Sequence, residues 1–305
     1  MKLIITGGSG FIGRNIIRHL ALKGHDIILL THRSKPLGIE DIKCKILKCD
    51  ISNFKTLEKI SIKGIDALIH LAAQSSGPKS FKDPEMDIKT NILGTLNMIK
   101  WSKINKINRI LFASSFTVYG DVKGKGILSE DELCNPNSIY GLSKYTCEQL
   151  LKIYAVPLGI NYNIIRMFNV YGPDQDLNGK DDGMVNIFIK HIQNNNFIPI
   201  KGSLKRFRDF IYIEDVVKGW ECCLNNDKNP NKIYNLGYGK KIYIHELIKT
   251  LIKTFGKNKD IKIKEISSTQ GDIIGGYANM SKFYNDFNFK PKFSLKDGIK
   301  KMAKH

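Results

Sequence analysis

Short apolar runs and longer amphipathic stretches alternate through the first half of the chain. The runs are Leu3 to Thr6, Asp26 to Leu30, Cys44 to Leu47, Ala67 to Leu71, Arg109 to Ala113 and Asn161 to Arg166, and they are rich in β-branched residues. Strands of this kind, separated by stretches long enough for helices, predict βαβ units and a parallel sheet buried on both faces. One such stretch carries Ile88, Ile92, Leu96 and Ile99. A recurrence of three or four predicts a helix over 88–104 with that stripe against the core. Right-handed crossovers through repeated units build a doubly wound sheet, so the expected class is α/β with a Rossmann-type domain over 1–170.

After Pro173 the pattern changes. Residues 173–183 are polar and glycine-bearing, which predicts a loop. Beyond them come a strand-like Phe210 to Ile213, a helix from Glu214, another over His245 to Phe255, and a polar end. A smaller α/β substrate domain over 171–305 is expected, with 209–236 returning to the first domain. No internal repeat or low-complexity tract interrupts the chain.

Composition narrows the classes further. With 305 residues, 42% hydrophobic and 25% charged, the chain reads as a soluble globular protein rather than a disordered or fibrous one. Its net charge of +19 invites an anionic partner. The basic residues are scattered, in nothing denser than Lys240-Lys241 or Lys300-Lys301, so a solvated surface is expected and no nucleic-acid face. Six cysteines show neither C-x-x-C nor metal-ligand spacing, and read as reduced packing residues with no metal. Glycine arrives before a signal-peptide core can develop, and no run of about 18 apolar residues exists, so a cytoplasmic protein without membrane contact is expected.

Four constellations carry candidate chemistry. Gly7, Gly10 and Gly13, with Phe11 and Ile12 between them, join the first strand to the first helix. Glycines there permit a tight turn and a close approach to a pyrophosphate, which the helix N-terminus attracts. The acidic residue usual after the second strand is replaced by Thr31-His32-Arg33, and a guanidinium in place of a carboxylate favours NADP over NAD. Asp50 follows a third strand, and His70-Leu71-Ala72-Ala73 ends a fourth, where small residues let a cofactor cross the sheet edge; His70 itself reads as a core histidine. Finally, Tyr140 and Lys144 stand four apart, on one face of a helix. A phenol of pKa about 10 needs roughly 4 kcal/mol of differential stabilisation to act near neutrality. A lysine cation and an oxidised nicotinamide are a source, and the Ser114-Ser115 pair offers a hydroxyl to the substrate oxygen.

Taken together the chain resembles the extended short-chain dehydrogenase/reductase family, in particular nucleotide-sugar epimerases of the UDP-glucose 4-epimerase type. The resemblance rests on the glycines, Asp50, Leu71-Ala72-Ala73, Asn91 in Thr90 to Thr95, Ser114 to Gly120, Tyr140 and Lys144, Arg166 to Pro173, Arg208-Asp209-Phe210 and Tyr234 to Gly237. It implies Ser115, Tyr140, Lys144 and Asn91 as catalytic-site residues. It implies Gly7, Gly10, Phe11, Ile12, Gly13, Asp50, Ile51, Leu71, Ala72 and Ala73 around the dinucleotide, with Tyr140 and Lys144 and, for NADP, Arg33. Ser75, Ser115, Asn169 and Arg208 would bind a nucleotide-diphosphate sugar. Two departures stand out. Thr269 occupies a position where family members often carry a second phosphate-binding arginine, and Ser115-Phe116 replaces the Thr-Asp-Glu of 4,6-dehydratases. The implied activity is NAD(P)-dependent 4-epimerisation through a 4-keto sugar. The alternatives are an NADPH-dependent 4-ketoreductase using the same residues, and a non-catalytic dinucleotide- or RNA-binding member. A homodimer through the helices near 88–104 and 140–155, with Leu150, Leu151 and Tyr154 as candidate contacts, is also implied.

Overall fold

Seven parallel strands run in the order Lys232–Leu236, Asn161–Met167, Arg109–Ser115, Ala67–His70, Lys2–Thr6, Asp26–Thr31, Lys45–Lys48. The structure is a computed structural model describing residues 1–32, 38–122, 126–175, 183–194, 197–256 and 259–304. Each of the six apolar runs falls on one of these strands. Neighbouring residues of a strand enter opposite cores, as the two-residue period demands. Leu3, Ile5, Leu111 and Ile165 pack under the helices Phe11–Leu22 and Ile213–Asn225, while Ile4, Ile110, Phe112 and Ile164 pack with Met98, Trp101 and Leu151 on the other face. Both faces are covered, which is why the runs are apolar throughout instead of alternating.

The strand order reverses between Lys2–Thr6 and Ala67–His70, the switch point where an open sheet of this kind leaves a crevice at its carboxyl edge. Smaller elements close over that edge. Phe210–Tyr212 pairs in parallel with Asn169–Tyr171, Phe207–Arg208 pairs antiparallel with Ile242–Tyr243, and Phe197–Lys201 pairs with Lys262–Ile266.

The helix expected over 88–104 forms, but with a different buried face. Ile88 is 54% exposed and Ile92 and Leu96 are half-buried. Asn91, Thr95, Met98 and Trp101 face inward instead, with Ile99. The cause lies in two local demands. Residues Ile88–Leu93 wind as a π-helix, which rotates the face. The inward line also serves a polar network at Asn91 and a close approach at Gly94, where a Cβ would lie 2.9 Å from Ile51 Cδ1. Leu151 is fully buried core, while Leu150 and Tyr154 are half-buried. Among the described residues no helix is long and apolar enough to cross a membrane, and no group of His, Cys, Asp and Glu could hold a metal ion.

Candidate active site

A cleft of about 1510 Å³ opens along the carboxyl edge of the sheet. Ligand sites for one drug-sized molecule run to about 1,000 Å³, so this space accommodates two ligands side by side.

Backbone builds its first wall. Gly7 has a φ of +71°, and a Cβ there would sit 2.5 Å from the Ala72 nitrogen; a Cβ on Gly13 would sit 2.3 Å from the Gly7 carbonyl. The helix Phe11–Leu22 starts at Gly10 with no side-chain cap, which leaves its first N–H groups for a ligand. Gly7, Gly10, Phe11, Ile12, Gly13, Thr31, His32, Asp50, Ile51, Leu71, Ala72 and Ala73 all line this side. Arg33 lies outside the described residues. Asp50 accepts hydrogen bonds from the Ser52 nitrogen (2.9 Å) and hydroxyl (2.7 Å). Burial alone would raise its pKa, but these bonds and the charges of His32 and Lys89 hold it below the ordinary value. Behind the wall His70 is 1% exposed, bonded to Thr6 Oγ1 through Nδ1 (2.7 Å) and to Thr95 Oγ1 through Nε2 (3.1 Å), which is the core role expected of it.

At the centre stand Tyr140, Lys144 and Ser115. The helix Ile139–Leu150 is capped by Ser138, whose hydroxyl accepts from the Gly141 nitrogen at 3.0 Å. Gly141 lets that helix press on the turn Phe116–Tyr119, since a Cβ would meet the Thr117 carbonyl at 2.7 Å. One turn after Tyr140, the buried Lys144 donates to the Ala113 carbonyl at 2.8 Å and lies 4.8 Å over the Phe112 ring. Burial lowers its pKa to about 8, against the opposing charges of Cys147, Asp87 and Glu148. Tyr140 behaves contrary to the simple lysine argument. Burial pushes its phenol up to about 12, even with the lowering effect of its hydrogen bond to Ser115. The lysine alone therefore does not acidify it.

The adjacent serines divide their roles. Ser114 donates to Glu148 Oε1 at 2.5 Å, and Glu148 forms a buried pair with Arg166 at 2.7 Å. Ser115 accepts from the Thr117 nitrogen and hydroxyl at 3.3 and 3.0 Å and lines the cleft. Asn91, expected among the catalytic-site residues, does not reach the cleft. It donates to Ser143 Oγ (2.8 Å), to the Gln74 carbonyl (3.1 Å) and to Asp87 Oδ1 (3.3 Å), and accepts from the Gln74 nitrogen (2.8 Å). It ties Gln74 to Ser143 of the tyrosine helix, a packed polar position that no apolar helix stripe marks.

Side chains build the second wall. Ser75, Asn169 and Arg208 line the cleft as expected. Asn169 Oδ1 is buried with no partner among the described residues. Arg208 is 4% exposed and pairs not with its neighbour Asp209 but with Asp272, at 2.8 Å. Asp209 instead accepts from the backbone nitrogens of Tyr238, Gly239 and Ala278. Sequence reasoning missed Gln74, Asp87, Arg206 and Asp272. Only Arg206 left a signal: it is a second arginine two residues before Arg208, and it lines the same cleft.

Comparison with known proteins agrees with this geometry. The model of the NAD dependent epimerase/dehydratase family matches residues 3–237. A putative UDP-glucose 4-epimerase of Methanocaldococcus jannaschii is 34% identical over 304 residues, covering 99% of this chain and 97% of that protein. The structure of a Thermotoga maritima UDP-glucose 4-epimerase with UDP-glucose is 29% identical, with a TM-score of 0.90 over 100% of this chain and 98% of its own. That of a Bacillus cereus UDP-glucuronic acid 4-epimerase, with UDP-glucuronic acid and NAD, is 28% identical with a TM-score of 0.88 and the same coverage. The glycine loop, the Tyr140 and Lys144 helix and the match across residues 3–237 lead to one conclusion: this chain belongs to the NAD dependent epimerase/dehydratase family.

Proposed function

We propose that the protein is an NAD-dependent 4-epimerase of nucleotide-diphosphate sugars. One observation carries the reading: Tyr140 and Ser115 stand at the seam between a backbone wall shaped for a dinucleotide and a cationic wall shaped for a diphosphate. The glycine cradle fits the dinucleotide: a Cβ at Gly7 or Gly13 would collide with neighbouring backbone and force open the tight turn that brings the helix N-terminus to the cleft. Gly7 to Gly13, Asp50, Leu71 to Ala73, Tyr140 and Lys144 would hold it. When bound it supplies a reversible hydride acceptor for a sugar carbon. We read it as NAD, the dinucleotide in the Bacillus cereus complex. The lean toward NADP from Thr31, His32 and Arg33 has no support in that complex.

In this reading Tyr140 takes and returns the proton of the C4 hydroxyl, and Ser115 hydrogen bonds the same oxygen. Lys144 keeps its ammonium close by, held by Ala113, and favours the phenolate once the cleft is filled. Asn169 and Arg208 anchor the diphosphate while the sugar presents either face, which converts a difficult reorientation into a local one. The exposed Ile88, Leu142 and Ile153 on the helices beside the cleft support a homodimer through that face, to be checked as mass in solution by light scattering.

The test is turnover of a panel of UDP-, dTDP- and GDP-sugars, followed by NMR of the sugar protons. The reading expects inversion at C4 with no net change in NADH. Consumption of NADH or NADPH in proportion to product would instead establish the ketoreductase. No turnover of any panel member, with RNA retained in a salt-sensitive manner, would establish the non-catalytic alternative.

A further inference from the structure

Arg206 immediately precedes the short strand Phe207–Arg208, and the side chains of Arg206 and Arg208 both line the cleft. One carboxylate, Asp272, bridges them: its Oδ1 accepts from Arg208 Nη2 at 2.8 Å and its Oδ2 accepts from Arg206 Nη1. The two guanidiniums differ in how much of their donor capacity the protein uses. Arg208 spends both hydrogens of each terminal nitrogen, on the carbonyls of Phe207, Ile273 and Ile274 and on Asp272. Arg206 spends its Nε hydrogen on the Ser203 carbonyl and one hydrogen of each terminal nitrogen on Asp272 and the Lys201 carbonyl. Of its five N–H groups two, one on each terminal nitrogen, thus have no acceptor among the described residues.

Charge points the same way. Two guanidiniums, only 12% and 5% exposed, share the bridging carboxylate of Asp272, with Asp121 the further acid acting on Arg208, and Lys201 on the same wall leaves positive charge in excess. Partly desolvated cations in excess are costly unless an anion meets them. The anion suited to the open N–H groups of Arg206 beside the guanidinium charge of Arg208, whose terminal nitrogens are fully bonded, is a diphosphate, hydrogen bonded by the first and held by the charge of the second. The turn beneath packs against Arg206: Gly202, in a left-handed conformation with φ +81°, sits under it, and a Cβ there would lie 3.1 Å from the guanidinium carbon.

We propose that Arg206 is a substrate-binding residue that completes, with Arg208, a two-guanidinium clamp on the diphosphate, Asp272 holding both arms in register. This rests on the nucleotide-sugar reading above. It also accounts for Thr269: the second cation comes from the residue just before the strand bearing Arg208 and not from the loop opposite, whose Thr269 lines the same cleft.

Calorimetry of the full chain with UDP, dTDP and GDP, each against its nucleoside, tests the assignment. Arg206→Ala is expected to weaken the preferred nucleoside diphosphate by about tenfold to a hundredfold, the worth of charge-assisted hydrogen bonds, while the nucleoside binds within about twofold of wild type. Arg206→Lys, which keeps the charge and loses the fork, should recover only part of the loss. Equal diphosphate affinity in wild type and Arg206→Ala overturns the clamp and leaves the nucleotide-sugar reading standing. Parallel loss of diphosphate and nucleoside, with a lowered melting temperature, assigns Arg206 to the scaffold and also overturns it. A wild-type protein that binds none of the three diphosphates defeats the underlying reading instead.

Discussion

The two walls of the cleft do similar work with different materials. The dinucleotide wall is made of backbone, glycines and small residues at strand ends, all positioned by a sheet buried on both faces. The diphosphate wall is made of long charged side chains on short strands and loops, positioned by one another through Asp272. Shape excludes ligands from the first wall, whereas charge recruits them to the second. Backbone walls should therefore fail abruptly when a carbon atom is added, and charged walls should fail by degrees as donors are removed.

The seam between the walls gives the largest expected effect. Tyr140→Phe removes only the phenolic hydroxyl, the proton carrier, and leaves the ring in place beside the dinucleotide. Turnover should fall by about 10²- to 10⁴-fold, with affinities for NAD and for the nucleoside diphosphate unchanged within about threefold. A fall in either affinity comparable to the fall in rate would mean that the phenol belongs to a wall and not to the seam. Next comes Gly7→Ala. The added Cβ meets Ala72 at 2.5 Å from a left-handed backbone conformation, so NAD affinity should drop by more than about 100-fold, and stability by about 1–3 kcal/mol, through overpacking and strain. Nucleoside-diphosphate binding at the far wall should survive. With Arg206→Ala this makes a double dissociation, and a variant of either wall that abolishes both affinities would erase the distinction between them.

The same contrast explains what could be read from the chain. The backbone wall was legible because its parts are local: three glycines within seven residues, an alanine pair after an apolar run, Tyr140 and Lys144 one turn apart. Fold and strand positions were legible for the same reason, the central strands being short apolar runs that declare burial on both faces, whereas the edge strand Lys45–Lys48 is largely exposed. The charged wall was not. Asp272 meets Arg206 and Arg208 across 66 and 64 residues, and no periodicity encodes that meeting. The π-turn at Ile88–Leu93 was equally hidden, because one extra residue per turn rotates a face without changing composition. Nor could sequence say that Tyr140 stays weakly acidic before ligand binds, since burial of the phenol depends on the turn Phe116–Tyr119 and on Ser115 beyond it.

The smallest expected effect separates the walls by the sign of their response to acid. Behind the backbone wall, Thr6 Oγ1 accepts from the Ala72 nitrogen at 3.2 Å and so has its hydrogen to give to His70 Nδ1, an arrangement for a neutral imidazole. Burial, with the nearby Lys144 charge, lowers the pKa of His70 to about 3 from an ordinary 6.5. Its contribution to stability is complete above pH 6.5 and is lost as the pH falls, because the unfolded chain then binds the proton that the folded one refuses. At about pH 5 the loss amounts to about 2 kcal/mol. Behind the charged wall the sign reverses. Burial pushes Asp209 up to about 6 from 3.8, with its three backbone N–H bonds opposing, so its ionised form burdens the folded state and acid relieves it. Between pH 6.5 and 5 that relief is worth about 1 kcal/mol. Urea unfolding of wild type across this interval should therefore show a shallow net loss of stability. In His70→Gln the loss should disappear, and the residual slope should turn toward greater stability in acid as Asp209 protonates. Parallel wild-type and variant profiles would mean that His70 already titrates in the folded protein, and that the floor of the dinucleotide wall is wetter than its hydrogen bonds to Thr6 and Thr95 imply.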